Sequence, residues 1–233
     1  MIEKIFYPEA NISDKNHISI ERFREMDRLS VEKYQISIEL MMENAGLQLA
    51  RLVTKTTPSP CNILIGIGTG NNGGGGLVAA RRLAGWGYRV YLHIPVNRLQ
   101  PLPKLQLQRA LAFGALDETN DRPDVFVDAY LGFSQRLPLS DDYQNAVEAS
   151  NRFNCPKVSL DLPTGFDKKT GNSIFKPEMI LTLAAMKTEL LPLVQNVDLY
   201  LADLGLPQDV YAQFGIEQPE EFKVYGLLKC NIV

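Results

Sequence analysis

The sequence predicts an α/β domain with a doubly wound, mostly parallel sheet, and three observations support this class. Short apolar runs alternate with helical patterns from residue 62 onward, an order typical of parallel strands joined by helical crossovers. A glycine-rich segment directly follows the first of these runs. Aspartates lie near the ends of two later runs, at the edge where open parallel sheets bind their ligands.

The length and composition are those of a folded globular protein. The chain has 233 residues, of which 45% are hydrophobic and 22% are charged, and these values exclude a disordered chain, a fibrous repeat and a small disulfide scaffold. Its 24 basic and 27 acidic side chains give a formal net charge of −3. No bulk positive field therefore favours nucleic acid or an anionic membrane as a partner.

We expect a cytoplasmic protein. The first residues lack the apolar core of a signal peptide, and no apolar stretch reaches the roughly 18 residues of a membrane span. Cys61, Cys155 and Cys230 share no spacing that is typical of a metal site. We therefore expect three reduced and mostly buried thiols, which fits a reducing compartment.

Two helices are expected before the first strand, after an irregular arm of residues 1–18. Ser19 is placed to cap the first helix, and Ile20, Phe23 and Met26 follow it at helical spacing. The second helix follows the i, i+3, i+4, i+7 pattern at Ile38, Met41, Met42, Ala45, Leu49 and Leu52. We expect both helices to pack against the sheet.

Six strands and three helices are expected in the rest of the chain. The apolar runs predict strands at residues 62–67, 89–94, 124–131, 157–162, 179–183 and 199–204. The helical patterns lie between most of these runs, at residues 77–84, 105–112 and 141–152. Together they predict a three-layer αβα sandwich with a Rossmann-like sheet. A single domain at residues 19–219 contains these elements, and residues 220–233 are left as a tail.

The glycine-rich segment after the first strand is a candidate anion site. Gly68, Gly70 and Gly73 match the pattern GxGxxG, and the next helix is expected to begin at Leu77. Backbone N–H groups of such a segment, together with the helix dipole, favour a phosphate group. The pattern alone is weak, because tight turns also use glycine. The two asparagine amides at positions 71–72 favour a ligand site over a structural turn.

Two absences narrow the choice of ligand. No Lys-Ser or Lys-Thr pair follows the glycines, so the segment is not a Walker loop. The second strand ends at residues 92–95 without the acidic residue that binds ribose in an ordinary dinucleotide fingerprint. An ordinary nicotinamide dehydrogenase is therefore disfavoured, although another nucleotide-using α/β enzyme stays open.

Asp128 and Asp161 are the candidate reactive carboxyls, since each lies near the end of a predicted strand, after residues 125–127 and 158–160 respectively. A carboxylate at a buried strand end must be paired, hydrogen-bonded, metal-bound or shifted in pKa. One such residue fits a structural anchor as well as a reactive group, but two on the side of the glycine segment favour a functional site. His17 and His93 are expected to be structural, and no Ser-His-Asp or Cys-His order indicates nucleophilic catalysis.

Five segments, taken in order, carry a family resemblance. They are residues 40–46 (LMMENAG), 70–76 (GNNGGGG), 128–133 (DAYLGF), 161–167 (DLPTGFD), and Lys187 together with 203–207 (DLGLP). Each segment alone is modest evidence, but five in the right order are specific. From about Ser19 onward, the sequence resembles the NAD(P)HX epimerases, which form the YjeF N-terminal domain family.

The resemblance implies an isomerase of nicotinamide cofactor repair. The family interconverts the R and S epimers of NADHX and NADPHX, which are NADH and NADPH with water added to the nicotinamide ring. A separate dehydratase then restores both epimers to the intact cofactor. The resemblance also implies a homodimer.

It further implies a set of site residues. Asp161 would be the catalytic acid/base at the hydrated carbon. A potassium ion would be bound near Asn72, Asp128 and Thr164, whose oxygens suit a hard cation. The substrate, with its diphosphate on the first five residues, would be bound by Asn71, Asn72, Gly73, Gly74, Gly75, Gly132, Phe133, Ser134, Gln135, Arg136, Leu137, Pro138 and Asp161.

Two positions depart from the family pattern. Gly75 stands where the family usually has aspartate, which removes a carboxylate and loosens the backbone of the segment. Thr164 replaces the usual serine and keeps the hydroxyl. The first departure leaves open a second function, that of a catalytically impaired member that binds a nucleotide or dimerises as a scaffold.

Overall fold

Most of the strands belong to one central sheet. The computed structural model describes residues 7–13, 15–56 and 61–232. Its strands are β1 (Glu9–Ile12), β2 (His17–Ile18), β3 (Asn62–Ile67), β4 (Arg89–His93), β5 (Val125–Ala129), β6 (Lys157–Leu160), β7 (Met179–Leu183), β8 (Met186–Lys187), β9 (Asp198–Ala202) and β10 (Leu227–Ile232). Eight of them form a sheet in the order β1-β10-β9-β7-β6-β5-β3-β4, and β2 pairs with β8 separately.

Helices cover both faces of this sheet. They are α1 (Ile20–Glu32), α2 (Ile38–Thr56), α3 (Asn71–Gly85), α4 (Pro101–Ala112), α5 (Asp141–Asn151) and α6 (Gln208–Gln213), with short 3₁₀ helices at Thr188–Leu193 and Glu220–Lys223. Ile63 and Ile65 of β3 pack with α2 and α3, whereas Leu64 packs with α5. Burial on both faces explains the uninterrupted apolar runs and confirms the predicted αβα class. Among the helices of the described residues, none combines the length and apolar character that a bilayer span requires.

The predicted central elements are confirmed. The six predicted strands correspond to β3, β4, β5, β6, β7 and β9, with ends that differ by at most two residues. All the pairs among them are parallel. The predicted helix cap is also present, since the hydroxyl of Ser19 accepts a hydrogen bond from the N–H of Arg22 at 3.3 Å.

Strands from the two ends of the chain extend the sheet. β1, from the predicted arm, runs parallel to β10, from the predicted tail, and β10 is antiparallel to β9. Neither strand follows from a local pattern, because β1 has four residues and its pairing with β10 joins opposite ends of the chain. The domain boundaries at residues 18 and 219 stay predictions. The central sheet includes β1, which lies before the first boundary, and β10, which lies after the second.

Helix α3 starts earlier than its sequence pattern indicates. The prediction of a helix that begins at Leu77 is wrong, because the helix begins at Asn71 and includes the glycines at 73–76. Glycine disfavours a helix interior by roughly 1 kcal/mol relative to alanine, so helix propensity does not predict that the glycines at 73–76 belong to α3. Tertiary contacts stabilise it instead.

The glycines of α3 allow the helix to touch the sheet. A Cβ at Gly73 would overlap the carbonyl oxygen of Gly68, which follows β3. A Cβ at Gly76 would lie 2.5 Å from the Cβ of Ala129, the last residue of β5. The backbone of the helix N-terminus therefore lies directly against the carboxyl ends of β3 and β5.

Gly73→Ala is expected to lower the free energy of unfolding by about 1–3 kcal/mol, because the added methyl group overpacks a backbone contact. Gly70→Ala is the matched control, since nothing lies within 4 Å of a Cβ there. Chemical denaturation should place the control within about 1 kcal/mol of wild type, the usual cost of alanine at a helix N-cap. Equal losses in the two variants would contradict the packing argument.

Candidate active site

A cavity of about 340 Å³ opens at the carboxyl ends of the parallel strands. Helices α1 and α2 contribute an apolar wall that includes Phe23, Met41 and Met42. Polar residues reach the cavity from the start of α3 and from the segments that follow β5 and β6. Open parallel sheets bind ligands at this position.

Asp161 lines the cavity directly after β6, with its side chain almost fully buried. Its φ of 67° lies in the left-handed region, which aspartate tolerates better than most residues. Its Oδ2 accepts a hydrogen bond from the N–H of Phe133 at 2.7 Å. Its Oδ1 lies 3.2 Å from the Nζ of Lys187. These two contacts hold the carboxyl in one orientation.

Lys187, the partner of Asp161, is fully buried at the end of β8. Its Nζ donates a hydrogen bond to the carbonyl of Leu183 at 2.7 Å. The same ammonium lies 3.6 Å from the ring centroid of Phe23, a cation–π contact. Burial lowers the pKa of Lys187, and the charge of Asp161 opposes that shift. The lysine is thus held in place by the groups that surround the cavity.

Asp128, the second predicted carboxyl, is fully buried and does not line the cavity. Its Oδ1 accepts from the hydroxyl of Thr164 at 2.6 Å and from the N–H of Tyr130 at 3.2 Å. Its Oδ2 accepts from the hydroxyl of Ser159 at 2.7 Å and from the N–H of Thr164 at 2.8 Å. Burial raises the pKa of Asp128, and these donors oppose the rise. The carboxyl connects β5, β6 and the turn that follows Asp161.

The N-terminus of α3 lies next to the carboxyl of Asp161. The first turns of the helix contribute three lining residues, which are Asn71, Asn72 and Gly75. A Cβ at Gly132 would lie 2.7 Å from Oδ2 of Asp161 and 3.1 Å from Oδ1 of Asn72. Gly132 therefore lies between these two side chains, and its lack of a side chain lets them approach each other.

The structure brings together part of the predicted site. Eight of the predicted residues line the cavity, namely Asn71, Asn72, Gly75, Gly132, Phe133, Ser134, Gln135 and Asp161. Gly73 and Gly74 are buried within α3, and residues 136–138 are exposed and lie outside the cavity lining. Asp128 and Thr164 belong to the buried hydrogen-bond network rather than to the lining.

Two further residues of this region received no role from the sequence. Asp27 lines the cavity, and Lys187 pairs with Asp161. A local signal for Asp27 exists, because it lies four residues after Phe23, on the face of α1 that carries the apolar stripe. Lys187 belongs to the last motif that carries the family resemblance, but that motif gives it no role, and only the fold brings it to Asp161.

The chain is similar to a known family and to several of its members. The family model described as YjeF-related protein N-terminus matches residues 38–189. The NAD(P)H-hydrate epimerase of Rhodopirellula baltica is 32% identical over 85% of this chain and 88% of its own length. The enzyme of that name from Dehalogenimonas lykanthroporepellens is 35% identical over 86% of each chain. The crystal structure of yeast ynu0 matches with a TM-score of 0.80 at 26% identity, over 91% of this chain and 99% of the yeast chain.

These similarities agree with the geometry. The family model covers more than half of the chain, including the start of α3 and both strand-end aspartates. The yeast structure shares the arrangement of the sheet and helices over nearly the whole chain. The chain belongs to the family of YjeF-related N-terminal domains.

Proposed function

We propose that the protein is an NAD(P)H-hydrate epimerase, an isomerase that interconverts the R and S epimers of NADHX and NADPHX. The position of Asp161 carries this proposal, because its carboxyl lies in a cavity beside the N-terminus of α3. The names of the two bacterial relatives support the same activity. A separate dehydratase would then act on the product in cofactor repair.

The cavity suits the parts of a dinucleotide. Main-chain N–H groups and the positive end of the helix dipole favour a diphosphate at the start of α3. The side-chain amides of Asn71 and Asn72 add hydrogen-bond donors there. The apolar wall of α1 and α2 suits a flat ring, and the segment at 132–138 would contact the rest of the substrate through its lining residues.

Asp161 is the proposed acid/base at the hydrated carbon. Epimerisation requires that the hydroxyl leaves that carbon and that water returns to it, so one proton must be given and one taken. A carboxyl can do both, because the step is reversible. The N–H of Phe133 and the ammonium of Lys187 orient its two oxygens toward this task.

Potassium is the proposed cation, near Asn72, Asp128 and Thr164. These residues fit it, because amide, carboxylate and hydroxyl oxygens are the ligands that hard cations prefer. In the described part of the chain, no basic side chain lies within ion-pairing distance of Asp128, so a cation would offset a buried negative charge. When bound, potassium would supply positive charge near the substrate's diphosphate.

A second candidate function is nucleotide binding or dimerisation without catalysis, and Gly75 favours it. Gly75 lines the cavity, at the position where the family resemblance leads us to expect an aspartate. A Cβ there would lie 3.0 Å from Cδ2 of Leu160, so an aspartate would displace that side chain slightly. Substrate turnover distinguishes the two functions.

Asp161→Asn is expected to remove the epimerase activity. Asparagine tolerates the left-handed backbone and keeps an acceptor for the N–H of Phe133, but it cannot exchange a proton. General acid–base catalysis contributes roughly 100- to 10,000-fold, so kcat should fall at least about 100-fold. The assay starts from one pure epimer of NADHX in potassium buffer and follows the appearance of the other.

Asp121→Asn is the matched control, since it removes the same charge from an exposed loop before β5 and should leave the rate unchanged. A wild-type rate equal to spontaneous epimerisation would refute the epimerase proposal. If such a protein were still stabilised by NADH or ADP-ribose, the second candidate function would stand.

Potassium is expected to raise the thermal stability of the protein more than sodium or choline at equal ionic strength. A ligand at 100 times its Kd stabilises the folded state by about 2.7 kcal/mol. Thr164→Ser keeps the hydroxyl and should retain this response. Asn72→Ala removes an oxygen at the cavity and should lose it. Equal stabilisation by all three cations would argue against the site.

We propose a cytoplasmic homodimer that uses the N-terminal helices as its interface. No disulfide bond joins Cys61, Cys155 and Cys230 within the described residues, which supports a reducing compartment. Leu40 of α2 has 57% of its surface exposed. Light scattering should give twice the chain mass of 26.1 kDa, and Leu40→Glu should reduce it to one chain. A wild-type monomer at micromolar concentration would contradict the dimer.

A further inference from the structure

A second carboxyl reaches the cavity from the helical wall. Asp27 lies on α1 and lines the same cavity as Asp161, which follows β6. Among the described residues, these two side chains are the carboxyls of the lining. The phenol of Tyr130 also titrates, but burial raises its pKa far above the neutral range. The substrate would therefore lie between two acidic groups that come from different elements.

The two carboxyls of the cavity differ in their charged partners. Lys187 faces both carboxyls, but its ammonium pairs with Asp161, at 3.2 Å. No ion pair within the described ranges includes Asp27. Two ionised carboxylates beside one ammonium would leave a net negative charge in a poorly hydrated site, which costs free energy. Asp27 is thus the carboxyl that more readily keeps its proton.

The electrostatic environment of Asp27 agrees with this assignment. Burial raises the pKa of Asp27, the charge of Asp161 raises it further, and Lys187 opposes the rise. Of the other charged groups nearby, Glu189 accepts the first N–H of α1 and Arg24 lies over an aromatic ring at 6.0 Å. Asp27 is therefore suited to the role of a proton donor, and Asp161, which pairs with an ammonium, to the role of its partner base.

We propose that Asp27 is a second catalytic residue, which acts with Asp161 as an acid–base pair on the two faces of the hydrated ring. This inference rests on the proposed epimerase function and divides between two carboxyls the proton transfers that a single carboxyl, Asp161, could otherwise perform alone. Inversion requires that the hydroxyl leaves from one face of the ring and that water adds to the other. Asp161 is held in one orientation by Phe133 and Lys187, so a carboxyl on another wall supplies the group for the second face.

The proton transfers balance over one turnover. The carboxylic acid of Asp27 gives its proton to the hydroxyl as the carbon–oxygen bond breaks, and the bonding electron pair leaves with the oxygen as water. The lone pair of the ring nitrogen stabilises the cationic carbon. A second water adds to the opposite face and gives a proton to the carboxylate of Asp161. The reverse reaction, or exchange with solvent, returns the two carboxyls to their first protonation states.

Asp27→Asn tests the proposal, because asparagine keeps the size of the side chain but cannot donate this proton. We expect kcat to fall at least about 100-fold in both directions, with KM within about threefold of wild type. Asp27→Glu restores a carboxyl and should recover at least about tenfold of the lost rate. Glu25→Gln changes the charge at an exposed position of the same helix and should leave both constants unchanged.

The pH profile separates a proton donor from a structural charge. Asp27 is active while protonated, and its proton is lost as the pH rises through its raised pKa. The wild-type kcat/KM should therefore decrease as the pH rises, and the Asp27→Asn variant should not show this decrease. The ratio kcat/KM is the constant to measure, because its pH dependence reports the ionisation of the free enzyme. A merely structural role would lower the rate and leave that decrease in place.

Two results would overturn the inference. The first is a wild-type rate in Asp27→Asn, and the second is the same decrease of kcat/KM with rising pH in both proteins. Either result can occur while the wild-type protein epimerises NADHX and the Asp161→Asn variant does not. In that case the epimerase proposal stands, and only the role of Asp27 is refuted. A wild-type protein that binds NADH and shows no turnover overturns both proposals together.

Discussion

A buried ion pair between Asp161 and Lys187 joins the parts of the chain that surround the cavity. Removal of a carboxylate and an ammonium from water costs several kcal/mol per ion, so both groups need further partners. The N–H of Phe133 contacts the carboxylate, while the carbonyl of Leu183 and the ring of Phe23 contact the ammonium. These partners come from α1, from β7 and from the segment after β5. The charged pair therefore depends on the assembled fold.

Close backbone contact shapes the other half of the site. Gly73 of α3 touches the carbonyl of Gly68, and Gly132 leaves room for the side chains of Asn72 and Asp161 to approach each other. Any side chain at these glycines would separate the helix N-terminus from the strand ends. The glycines that make this helix start unfavourable by propensity thus also let the start of α3 lie against the strand ends, beside Asp161.

Environment, rather than residue type, separates the roles of the three aspartates near the cavity. Asp128 accepts four protein hydrogen bonds and does not line the cavity. Asp161 lines the cavity and pairs with a buried ammonium, whereas Asp27 lines it without an ion pair among the described residues. Such differences in hydration and neighbouring charge can suit one residue type to different roles within one fold.

The sequence by itself determined the order of the central strands and helices, the cap at Ser19, and the places of Asp128 and Asp161 at strand ends. Hydrophobic periodicity and capping are local properties, so they can be recognised in short segments. Only the tertiary structure decided where α3 begins, how β1 and β10 join the sheet, and that Asp27 and Lys187 meet Asp161. These features depend on contacts between residues that are far apart in the chain. Local sequence patterns do not show them, because burial and electrostatic interactions depend on distance in space and not on distance along the sequence.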